Sequence, residues 1–230
     1  MNPNADLDRQ LDAWAAASPA SPELGQQIAP ALASALTPVR PISSPARLAA
    51  IFFAIAAAAA ALTPIVGATG IRLMSATQLT AISAILIAAA LLFSLALAHQ
   101  MIPASLRVLP FSTLLALTSA AVMIATILPF PWTTPRLFIQ EGWPCSALEA
   151  VIALPASVLF WLLARRGALF PGFATGASIA SLSVLPALAV DQFQCMFLQA
   201  PHLLVWHLGA AAILISAGAL LGEWSKHRAR

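Results

Sequence analysis

Charge is what this 230-residue chain has least of: eleven basic and eight acidic residues make up 8% of it, against about 25% in an average soluble domain. So few charges cannot cover the surface of a soluble protein this size, which excludes an ordinary globular domain and a charge-rich disordered chain. Cysteine is nearly as scarce. Two residues cannot build the disulfide framework of a small secreted module, although two can form one bond. The sequence has no Cys-x-x-Cys for thiol oxidation, no His-Glu-x-x-His and no glycine-rich phosphate loop, so an enzyme is not expected. Ionisable groups are also sparse inside the apolar segments. Pumps and coupled transporters usually place such groups, or broken helices, near the bilayer midplane, which lowers the transporter reading.

What is there is apolar. Sixty per cent of the residues are hydrophobic and mean hydropathy is +0.89. Apolar segments fall at 48–66, 77–98, 108–128, 148–164, 173–190 and 203–222, each close to the ~20 residues that a spanning helix uses. An all-α, polytopic membrane protein is expected. Its parts are a cytoplasmic N-terminal arm at 1–46, a six-helix transmembrane domain at 47–222 and a basic tail at 223–230. The 46 residues before the first span argue against a cleaved signal peptide. With the N-terminus inside, Arg9, Arg40, Arg47, Arg107, Arg165, Arg166, Lys226, Arg228 and Arg230 lie in the cytoplasm, and Arg72 and Arg136 outside. The positive-inside rule therefore predicts cytoplasmic termini.

The arm contains two amphipathic stretches separated by Ser18-Pro19-Ala20-Ser21-Pro22. Leu7, Leu11 and Trp14 recur at helical spacing in the first; Leu24, Ile28, Leu32 and Leu36 form a four-residue ladder in the second. Neither stretch can bury its stripe alone. One reading is a helix resting on the bilayer or the bundle. The other is an arm that lays its apolar face into a groove of a soluble partner. The acidic polar faces (Asp6, Asp8, Asp12, Glu23) disfavour an anionic membrane surface and suit a basic partner protein.

On this topology Cys145 and Cys195 both face the outside, where thiols can be oxidised. Pro144 suits the first helical position, which would put Cys145 in a first turn, where the amide dipoles favour a thiolate. Glu149 shares its face at four-residue spacing, and His202 and His207 follow Cys195. Thiolate is a soft ligand, imidazole a borderline one, and a carboxylate can complete such a set, so Cys145, Cys195, His202, His207 and Glu149 are candidates for transient soft-metal binding. A static disulfide, or two unrelated small residues, are the alternatives at this level. No permanent cofactor is expected.

The arrangement resembles the NrsF-type membrane anti-sigma factors, negative regulators of extracytoplasmic-function sigma factors in proteobacteria. The resemblance covers about residues 24–222. It is carried by Leu32-Ala33-Ser34-Ala35-Leu36-Thr37-Pro38-Val39-Arg40-Pro41, by Pro45-Ala46-Arg47, and by Trp143-Pro144-Cys145. It continues through Leu162-Leu163-Ala164-Arg165-Arg166-Gly167-Ala168, Cys195, Pro201-His202 and Val205-Trp206-His207. Met196 stands where such proteins often have a proline after the second cysteine. The resemblance implies a bacterial inner-membrane protein that holds a sigma factor through residues 1–46 and makes no direct contact with nucleic acid. Cys145 and Cys195, on the periplasmic side, would sense an oxidant or heavy metal and trigger release. A small transporter or channel with a regulatory arm is the alternative, and a membrane thiol-redox enzyme a third.

Overall fold

Local signals set the helix boundaries. Ser44 caps helix α1, Pro45–Ala60, its hydroxyl oxygen accepting from the Arg47 N–H at 3.4 Å, with Pro45 in the first turn, where a missing N–H costs nothing. After a break at Ala61 and Leu62, α2 (Thr63–Val66) ends at Gly67, whose φ of +136° only glycine adopts without strain. Helix α3 is Thr69–Leu73. A capping box then opens α4 (Ala76–Gln100): the Gln78 N–H donates to Ser75 Oγ at 3.2 Å and the Ser75 N–H to Gln78 Oε1 at 2.8 Å. Helix α5 runs Phe111–Ile127, α6 Phe138–Ala164 and α7 Phe173–Gln194. Helix α8 (Ala200–His202), a π-helical turn (Leu203–Leu208) and α9 (Gly209–Arg228) follow one another directly.

The computed structural model describes residues 9, 13, 44–102, 110–134, 137–166 and 172–228. The chain divides into two compact units, 1–41 and 42–230. In the first, Arg9 and Ala13 are described, both helical and exposed. The expected stripes of Leu7, Leu11 and Trp14 and of Leu24, Ile28, Leu32 and Leu36 lie outside the described residues. The second unit is helical, with no strand among the described residues. Among the described residues, five stretches are long and apolar enough to cross a membrane: Pro45–Val66, Ala76–Gln100, Phe138–Ala164, Phe173–Gln194 and Ala200–Arg228. Helix α5, at 17 residues, is about 25 Å long, short of the ~30 Å hydrocarbon core.

Helix α7 is the centre. Every residue from Thr175 to Gln192 is buried, because its small side chains let other backbones approach, the usual device where lipid removes the hydrophobic drive between helices. The closest approach is to α9. A Cβ on Gly176 would strike the Gly218 carbonyl oxygen and stand 2.9 Å from Gly222 Cα. Two serines of α7 bond back to their own helix: Ser178 and Ser183 donate to the carbonyls of Ala174 and Ile179 at 2.8 and 2.7 Å. Gln100 from α4 donates to Ser178 Oγ at 2.8 Å.

Contacts at the helix ends fix their directions. Phe52 at the middle of α1 meets Phe160 near the end of α6, edge to face at 5.9 Å. The Phe173 N–H at the start of α7 donates to Glu223 Oε2 near the end of α9 at 3.1 Å. At the other end, a Cβ on Gly70 of α3 would lie 2.7–2.8 Å from the carbonyl oxygens of Gln192, Phe193 and Cys195. There the Gln78 amide donates to Pro129 O at 2.7 Å and the Ala200 N–H to Pro131 O at 2.9 Å. Arg47, Arg165, Arg166, Lys226 and Arg228 thus lie at one end of the unit. Arg72 lies at the other, with the cysteines.

One boundary differs from the sequence reading. Helix α6 begins at Phe138, not near 148, and Pro144 sits inside it. A proline there removes one intrahelical hydrogen bond, a loss that neighbouring segments can absorb. Cys145 is therefore two turns into the helix, beyond the reach of the N-terminal dipole.

Candidate functional site: a buried cysteine–histidine cluster

Three segments converge at the Arg72 end. Helix α6 supplies Cys145, the residue that ends α7 is Cys195, and the π turn with its preceding residue supplies His202 and His207. All four side chains are buried, and one ligand atom from each lies within 4.8 Å of the others. The sulfurs are 3.9 Å apart and both cysteines are free. His202 Nε2 stands 3.7 Å from Cys145 Sγ and 3.5 Å from Cys195 Sγ.

The π turn explains the histidine pair. In an α-helix, residues five apart point about 140° away from each other. Residues 203–208 instead follow the i→i+5 pattern, the Gly209 N–H donating to Leu204 O, so a turn closes over five residues. His202 and His207 consequently meet edge to face, ring centroids 5.4 Å apart. The turn is pinned to α6 by Ser146, whose hydroxyl donates to the Trp206 carbonyl at 2.6 Å. It is also pinned by the Trp206 indole, which fills the space a Cβ on Gly142 would need.

Asp191 completes the arrangement. Its Oδ2 lies 3.2 Å from His207 Nδ1 with both side chains fully buried, an ion-pair approach without hydrogen-bond geometry, and neither His207 ring nitrogen has a hydrogen-bond partner among the described residues. The Gln194 amide donates to Asp191 Oδ1 at 3.5 Å. Phe138, Phe197 and Trp206 surround the histidines: Phe138 meets His202 edge to face at 6.4 Å, Phe197 lies 5.3 Å from His202, and Phe138 lies 5.7 Å from Trp206. Around Cys195, the Cys145 thiol and then the Phe197 N–H, 3.4 Å from the sulfur, favour a thiolate and hold its pKa below the usual value, against the opposing effect of burial.

Of the five candidate ligands, four are brought together: Cys145, Cys195, His202 and His207. Glu149 is not in that cluster. It is fully buried on α6, and neither carboxylate oxygen has a hydrogen-bond partner among the described residues. Position 149 is the twelfth residue of the 27-residue α6, close to its middle, so this segment carries an ionisable group deeper than the sequence reading placed it. Asp191 was not among the candidates. Its signal was its place at the end of an apolar run, four residues before Cys195, where a loop residue was the simpler assignment. No family model, no curated protein and no solved structure matches the chain.

Chemically, two thiols and two imidazoles in a dry pocket can take up a thiophilic metal ion or react with an oxidant. A metal ion held by all four would join α6, the end of α7 and the start of the last helix, whereas oxidation to a Cys145–Cys195 disulfide would join α6 to the end of α7 alone.

Proposed function

We propose that this chain is a membrane-embedded anti-sigma factor. Residues 1–46 hold an extracytoplasmic-function sigma factor at the bacterial inner membrane, and a thiol-directed signal from the periplasm releases it. The observation that carries the reading is the 3.9 Å approach of Cys145 and Cys195, far from the end where Arg47, Arg165 and Arg166 gather. The resemblance in the sequence supplies the sigma factor as partner. In this reading α5 is the sixth span, its ~25 Å completed by flanking residues and local bilayer thinning. Both termini are cytoplasmic and both cysteines periplasmic, as the cation distribution favours. No catalytic chemistry is needed: a change in the cysteine cluster shifts the helices between two packings with different sigma affinity.

The test is co-purification. The full chain in detergent should retain a small sigma factor encoded beside it. Replacing Ile28 and Leu32 with glutamates should abolish retention while the protein still inserts, since burying each apolar side chain contributes roughly 1.5–3 kcal/mol. Failure of the wild-type chain to retain such a factor, or retention by the double variant, would refute the assignment. A small transporter with a regulatory arm is the second reading, favoured by the buried, unpartnered Glu149, because a carboxylate inside a span usually marks a solute or proton path. Solute flux in vesicles after deletion of residues 1–41 would favour it.

A further inference from the structure

We propose that Cys145, Cys195, His202 and His207 form a closed, four-ligand zinc site that is filled in the resting protein. Zinc binds thiolate sulfur at about 2.3 Å and imidazole nitrogen at about 2.0–2.1 Å, almost always tetrahedrally in structural sites. Those lengths put two sulfurs of one tetrahedron about 3.8 Å apart and a sulfur and a nitrogen about 3.6 Å apart. The protein presents 3.9 Å between sulfurs and 3.7 and 3.5 Å from His202 Nε2 to each sulfur. A disulfide, by contrast, needs its sulfurs about 2.05 Å apart.

Three further features point the same way. His207 Nε2 is buried and has no hydrogen-bond partner among the described residues, while Nδ1 faces Asp191. That carboxylate–histidine arrangement is the standard outer shell of a zinc-bound imidazole. The π turn puts both histidines on one side of a helix that would otherwise direct them apart, and such turns recur at functional sites. All four ligand side chains are buried, as in a closed site without an open coordination position. Two thiols and one Zn²⁺ give a neutral dithiolate complex and two released protons, and the Asp191 carboxylate stands 3.2 Å from His207 Nδ1.

This inference deepens the sensor reading and rests on it for its consequence alone. The resting centre would be zinc-bound, and a softer divalent ion such as cadmium would take the same four ligands as zinc leaves. The test needs no sigma factor, so it stands apart from the test of that reading. The full-length chain, purified in detergent without chelator from zinc-supplemented cells, should carry one zinc per molecule by elemental analysis. Replacement with cobalt should give strong visible bands of a tetrahedral site and a thiolate-to-cobalt absorption in the near ultraviolet. His207→Ala and Cys195→Ser should lose the metal, and Asp191→Asn should weaken zinc affinity about 10–100-fold. Zinc well below one per chain, a six-coordinate cobalt spectrum without the thiolate band, or zinc retained in His207→Ala would overturn the proposal.

Discussion

Gly142 is the place where a single methyl group should report on the packing of the site. It lies in α6 against Trp206, and a Cβ there would collide with the indole at Nε1, Cδ1 and Cε2. Two effects of Gly142→Ala oppose each other. Helix propensity favours alanine by about 0.8–1.0 kcal/mol, while overpacking costs typically about 1–3 kcal/mol. The collision meets the body of the ring, and that ring also packs on Phe138 at 5.7 Å, so it cannot swing away without losing a neighbour. Overpacking should win, leaving a net loss of up to about 2 kcal/mol. The sign should reverse in a Trp206→Ala background, where the space is open and the propensity gain of about 1 kcal/mol stands alone. Thermal unfolding in detergent, followed by circular dichroism for the four members of the cycle, measures the coupling. An increase in melting temperature for Gly142→Ala alone, or the same shift in both backgrounds, would refute the argument.

Cys145→Ser and Cys195→Ser should each blunt induction of a target-promoter reporter by oxidant or cadmium, and the double variant should be no worse than either, because both thiols serve one centre; normal induction in the double variant would remove the cysteines from sensing. Phe160→Ala should destabilise the bundle by less than the ~3–5 kcal/mol of a soluble core, since lipid is as apolar as the interior and what is lost is the edge-to-face packing on Phe52; thermal unfolding in detergent reads it. A reporter active only in the periplasm should be silent at the C-terminus and active when inserted at position 136; activity at the C-terminus would reverse the topology.

The apolar runs made the helical class legible, whereas the Ser44-Pro45 and Ser75/Gln78 caps that open α1 and α4 are short polar signals that the hydrophobic pattern alone does not single out. The start of α6 was not legible, because Pro144 looks like a first-turn proline and lies instead inside a longer helix. The site was partly legible. Cys145, Cys195, His202 and His207 could be picked out by chemistry, but their convergence depends on a π turn that hydrophobic periodicity does not encode. Asp191 was missed for a related reason: at the end of α7 it reads as an interfacial loop residue, and its burial follows from where the last helix begins. The centrality of α7 has a fainter signature in its Gly, Ala and Ser content, which marks close packing without naming the neighbour.

The most direct measurement is the affinity of the full-length chain, in lipid nanodiscs, for its sigma factor with and without a thiophilic metal at the outer face. The account predicts a complex in the resting state whose dissociation constant rises at least about tenfold on cadmium addition, equivalent to about 1.4 kcal/mol, and no such change in Cys145→Ser. No complex at rest, or an affinity that cadmium leaves unchanged, would contradict it.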